Sequence, residues 1–106
     1  MENNMNKSLI LNVVMCKLNE GVQDADYLKA SDAITTNMNG TKGFIRRELF
    51  KSADGMWIDL VYWESLEDAH KFAEDFSKLP NAASFGSMID AKTIALHHFE
   101  QMRSYE

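Results

Sequence analysis

The chain contains one proline and one cysteine in 106 residues. A lone Cys16 cannot make an internal disulfide, so no disulfide framework staples this fold, and that usage fits a reducing compartment. With Pro80 as the only proline and only five glycines, proline-rich linkers and low-complexity segments are excluded. Positive charge is also short. Eleven Lys and Arg stand against sixteen Asp and Glu, a net charge of −5, and Arg46-Arg47 is the only basic pair. Such a chain has no basic excess with which to neutralise phosphates, which disfavours a nucleic acid or an anionic membrane as partner. No apolar run approaches membrane-spanning length, and the opening MENNMNK lacks the apolar core of a signal peptide. There is no cysteine pair, no H-x-x-x-H and no glycine-rich phosphate loop, so neither a metal nor a nucleotide cofactor is expected. The expectation is a soluble, cytoplasmic protein without cofactor, built as one domain because this length leaves no room for a second core.

What the chain does have is a clear β-α-β-β-α-β rhythm. Residues 1–7 read as a disordered polar lead, residues 8–101 as the single domain and residues 102–106 as a polar tail. Ser8 to Leu18 is a long apolar strand, with Leu9, Leu11, Val13 and Met15 on one face and Ile10, Asn12, Val14 and Cys16 on the other. Asp24 offers an N-cap, and Tyr27, Ser31, Ile34 and Met38 then recur at helical spacing until Asn39-Gly40. Phe44 to Phe50 and Met56 to Trp63 flank Asp54-Gly55, a strong hairpin signal. Ser65 and Asp68 resemble a capping box, and Ala69, Phe72, Ala73 and Phe76 form the apolar stripe of the helix that follows. Pro80 is expected to end that helix and to open a short one through Met88. Thr93 to Phe99 is the fourth strand.

This order predicts an α+β, ferredoxin-like fold: a four-stranded antiparallel sheet with both helices on one face. Strands one, three and four are nevertheless apolar on both faces. An uncovered apolar sheet face is rare in a soluble monomer. The sequence therefore predicts a homodimer packed sheet to sheet.

Several residues could carry chemistry. Asp59 lies mid-strand on the face of Trp57, Val61 and Trp63, where a carboxylate is costly unless paired or protonated. Desolvation would raise its proton affinity and suit it as a base for a phenolic proton, whereas Arg46 or Arg47 on the neighbouring strand would pair it instead. His97 and His98 are adjacent, so they point to opposite faces, and either could serve as acid or base near neutral pH or as a hydrogen-bonded interface histidine. They cannot both reach one metal ion from a regular strand. Trp63 and Phe72 are candidate pocket walls, with core packing the competing role for Trp63. Asn12, among aliphatic residues, needs a ligand or a backbone group as partner. His70 lies beside the apolar stripe, facing solvent. Lys17 beside Cys16 could lower the thiol's proton affinity, but no histidine is placed to make it a nucleophile.

The Gly43-Phe44 entry into strand two, the hairpin and the Val61-Tyr62-Trp63-Glu64-Ser65 passage into the second helix resemble the dimeric α/β-barrel superfamily. Within it they are similar to the antibiotic-biosynthesis monooxygenase-like domains, over residues 8 to 101. The resemblance implies a dimer whose sheets form a shared barrel, with a ligand pocket in each subunit between sheet and helices. It implies, for some members, oxidation of aromatic polyketides with O₂ and neither metal nor flavin, and for others haem degradation. The positions of the haem-degrading Asn, Trp and His hold Val14, Phe72 and Ala82 here, which argues against a haem oxygenase. Of the Trp, Asn and Tyr of quinone-forming members, this chain keeps Trp63 and has Asp59 and Ala69 at the other two. The reading that follows is a cofactor-independent monooxygenase-like protein acting on a small planar aromatic or apolar molecule, with a non-catalytic ligand-binding or sensor dimer as the alternative.

Overall fold

A computed structural model describes residues 9–106. The lead expected over residues 1–7 lies outside them. Four strands, β1 (Ile10–Cys16), β2 (Phe44–Lys51), β3 (Trp57–Trp63) and β4 (Ala95–Glu100), form one antiparallel sheet in the order β2-β3-β1-β4. The helices α1 (Asp24–Met38), α2 (Leu66–Asp75) and the short α3 (Ala82–Ser87) complete the predicted ferredoxin-like α+β arrangement. Among the described residues no helix is long and apolar enough to cross a membrane.

The alternation in β3 decides which face the helices cover. Trp57, Asp59, Val61 and Trp63 are buried, while Ile58, Leu60 and Tyr62 between them are only partly covered. Antiparallel partners point the same way. Register therefore places Asn12, Val14 and Cys16 of β1 and Leu96 and His98 of β4 on the covered face. Met15, Val13, Leu11, Ile58, Leu60, Tyr62, Ala95 and Phe99 make the other face apolar, and Phe50 and Phe99 there are more than half exposed. The guanidinium of Arg46 lies 3.9 Å from the Tyr62 ring on that open face.

In α1 the buried residues are Tyr27, Ser31, Ile34 and Met38, the four that the helical spacing singles out. Gly40, at φ +87°, takes the left-handed turn that ends the helix, and Thr41 N–H closes it onto Met38 O at 2.9 Å. Asp24 is the first helical residue and not the N-cap, a position Gln23 occupies. Its carboxylate instead accepts a hydrogen bond from Lys51 Nζ at 2.6 Å. The helix dipole favours an acid there as well.

Ser65 does cap α2, its Oγ accepting from Asp68 N–H at 3.1 Å and donating to Asp68 Oδ2 at 2.9 Å. This cap sits against Gly43, whose φ is +82°; a Cβ at that position would run into the Asp68 carboxylate. Glycine is needed at the entry to β2 both for the backbone angle and for this close approach. The end of α2 differs from expectation. It stops at Asp75, followed by a single 3₁₀ turn over Phe76–Lys78, so Pro80 lies beyond the helix and only shapes the approach to α3. β4 likewise begins at Ala95. Asp90 caps a 3₁₀ turn over Ala91–Thr93 by accepting from Lys92 N–H, and this turn occupies the predicted strand start.

Candidate ligand-binding site

The helices do not pack flush on the sheet. A cavity of about 240 Å³ remains between the covered face, α1 and the segment from α2 through α3. Most of its wall is apolar: Val14, Val61 and Leu96 from the sheet, Tyr27, Ile34 and Met38 from α1, and Phe72, Ala73, Phe76 and Phe85 opposite. The stripe on α2 explains the space. Only Ala69 of that stripe is fully buried; Phe72 packs on Trp63 of β3 and, with Ala73 and Phe76, lines the cavity. Tyr27 stacks on Phe85 at 5.1 Å between ring centroids, and Phe85 meets Phe76 edge-on at 6.4 Å, so aromatic rings hold one another around the wall.

Besides the Tyr27 hydroxyl, the polar side chains on this wall are Asn12, Arg47 and Asp59. Arg47 Nε and Nη2 donate to the two Asp59 oxygens at 2.9 and 2.7 Å, and Arg47 Nη1 donates to Ser31 O at 3.0 Å and Thr35 Oγ1 at 2.9 Å. The side chains are 4% and 11% exposed. A buried carboxylate gripped side-on by a guanidinium satisfies its charge in place. The pairing is therefore the one the sequence offered as the alternative to a free base, and the partner is Arg47. A register shift between Phe44 and Arg46 decides which arginine it is. The extra residue turns Arg46 to the open face and Arg47 to the cavity.

His98 faces the helices, opposite Asn12 across the β1–β4 ladder. Its ring meets His70 of α2 edge-on at 5.1 Å, so His70, although exposed, is also a contact residue. His98 Nε2 and Asn12 Oδ1 are both buried without a hydrogen-bond partner among the described residues. Burial, and secondarily the His70 charge, push the His98 proton affinity below the ordinary value of 6.5. The unfolded chain thus binds this proton more readily than the folded one. Stability should fall as pH drops through about 6.5 and continue falling until the folded-state value is passed. Urea unfolding between about pH 8 and pH 5 should show a shallower loss in His98→Gln than in the parent chain.

His97 points to the open face, its ring 5.8 Å from that of Phe99 and away from the cavity. Trp63 is wholly buried between Phe44 and Phe72, at 5.8 and 5.4 Å between ring centroids. It stands behind the wall that Phe72 forms and is not itself among the lining residues. Burial raises the proton affinities of both Cys16 and Tyr27 above their ordinary values. For Cys16 this reverses the effect expected from Lys17. Tyr27, Ile34 and Met38 were legible only as one face of a helix, since spacing does not distinguish a packed face from a cavity wall, and no pattern in the sequence singled out Phe85.

No model of a protein family matches the chain, and no curated protein does. Solved structures do match. SnoaB, a cofactor-independent oxygenase from Streptomyces nogalater, superposes with a TM-score of 0.76 at 13% identity, over 92% of this chain and 96% of that one. A candidate antibiotic biosynthesis monooxygenase from Bordetella bronchiseptica gives 0.75 at 14% identity, over 92% and 100%. Rv0793 from Mycobacterium tuberculosis gives 0.72 at 15% identity, over 93% and 100%. The chain has the fold of the antibiotic-biosynthesis monooxygenase-like proteins.

Proposed function

We propose that this chain is a cofactor-independent oxygenase of small aromatic molecules, working as a homodimer joined through the open sheet face. The observation that carries the reading is the cavity itself: lined mostly by aromatic and aliphatic side chains, with its charge confined to the Arg47–Asp59 pair. Its volume lies below the roughly 300–1,000 Å³ of sites for drug-sized ligands, and an apolar void of about 150 Å³ already accepts benzene. A substrate of one or two rings fits. The shared fold with a cofactor-independent oxygenase adds support.

Such a reaction needs a base, a water-poor cavity and a substrate that itself reduces O₂. For a phenol, a proton leaves to the base and the ring supplies electrons to O₂. One oxygen atom enters as a carbonyl, the other departs as water, and a quinone results. Asp59 is the carboxylate on the cavity wall, each of its oxygens keeping lone-pair capacity beyond the Arg47 bonds. His98, paired with Asn12 across the β1–β4 ladder, is the nearby imidazole. His97, on the open face, could contribute only at the dimer interface.

One observation favours a second reading, a ligand-binding or sensor dimer without catalysis. Both Asp59 oxygens are already engaged by Arg47, so a substrate proton would compete with the guanidinium for them. Oxygen-electrode measurements with a panel of one- and two-ring phenols and quinols separate the two. Uptake stoichiometric with quinone formation is the expected outcome. Tight binding of panel members with no O₂ uptake would leave the sensor reading standing and remove the oxygenase. Sedimentation at micromolar concentration should show a dimer, and a stable single subunit would remove the shared barrel.

A further inference from the structure

Charge and donor bookkeeping at the polar end of the cavity narrows the ligand. The wall holds one buried cation, Arg47, and one buried anion, Asp59, and these cancel. An anionic ligand would leave the apolar cavity with a net negative charge, and a cationic ligand with a net positive one. Either carries the desolvation cost of an unpaired buried ion. A neutral ligand carries neither. Arg47 also has five N–H groups. Four are used among the described residues, two on Asp59 and one each on Ser31 O and Thr35 Oγ1. The guanidinium can therefore still donate one hydrogen bond, while on the same wall Asn12 keeps an acceptor, Oδ1, unpartnered among the described residues.

We propose that the cavity selects a neutral one- or two-ring aromatic carrying an acceptor oxygen, a ketone, aldehyde or quinone carbonyl, with that oxygen at the Arg47–Asp59 end. In this arrangement Arg47 recognises the ligand and Asp59 is a positioning residue that holds the guanidinium. The inference rests on the cavity being a ligand site but is independent of any oxidation there. It makes Arg47, which the sequence offered only as a partner for Asp59, the specificity-determining side chain.

The test uses three probes of matched shape, acetophenone, benzoate and benzylammonium, titrated into the full chain at neutral pH with ligand-observed NMR. Acetophenone should bind at least about tenfold more tightly than either ion, a difference of about 1.4 kcal/mol. The carbonyl stretch of bound acetophenone should move to lower wavenumber, and that shift should vanish in the double variant Arg47→Met with Asp59→Leu. Benzoate or benzylammonium binding as tightly as the ketone overturns the proposal, as does a carbonyl shift unchanged in the double variant. Binding of none of the three overturns it together with the ligand-site reading. Selective ketone binding without O₂ uptake from any phenol upholds this inference while the oxygenase reading fails.

Discussion

Replacing Asp59 by alanine should cost about 3–5 kcal/mol of folding stability, the range for breaking a buried ion pair by removing one partner. The variant keeps Arg47 in a site where its side chain is 4% exposed and removes two of its four hydrogen bonds. Ser31 O and Thr35 Oγ1 would remain, yet neither carries the charge that offsets the guanidinium. Arg47→Met should cost a similar amount by stranding the carboxylate instead. The double variant Arg47→Met with Asp59→Leu should recover most of either loss, because hydrophobic replacement of a whole buried pair is often neutral or better. Urea unfolding of the three variants gives the coupling directly as a double-mutant cycle. A cost below about 1 kcal/mol for Asp59→Ala would show that the pair behaves as an exposed one, and the polar end of the cavity would lose its physical basis.

That pair also shows where reading the sequence reaches its limit. The hairpin, the stripe of α1 and the alternation of β3 are local patterns. The structure follows them closely because each pattern fixes which side of its own element turns inward, whatever packs there. Whether Arg46 or Arg47 reaches Asp59 depends on one extra residue in β2, a bulge whose effect is to exchange the two faces of the strand. Two adjacent arginines look alike to any periodicity. The same limit applies to His97 and His98, whose opposite orientations are certain from the strand but whose faces are assigned only by the pairing of β4 with β1. Pro80 misled for a different reason. A proline forbids a helix through its own position, but α2 had already ended at Asp75, and nothing in the spacing of Phe72 and Phe76 reports that. The apolar character of both sheet faces was legible.

The cavity was the least legible feature, and Trp63 is the residue that tests how it is built. A tryptophan ending β3 reads equally as a platform for a ligand and as core. The structure places it at 0% exposure, between Phe44 and Phe72. Trp63→Ala should therefore cost about 3–5 kcal/mol, the range for truncating a large buried aromatic. The void it leaves would lie directly behind Phe72, which is free to swing back because its other side faces the cavity. The milder Trp63→Phe should keep the fold while loosening that support. Two-ring ligands such as naphthol should then gain affinity relative to one-ring phenols in the variant. Unfolding curves and a two-probe titration measure both effects. Had Trp63 been the platform itself, Trp63→Phe would weaken every aromatic ligand alike and leave stability nearly unchanged. A size-dependent gain and a uniform loss are opposite results, and only the first is compatible with a tryptophan that acts on the ligand through the ring in front of it.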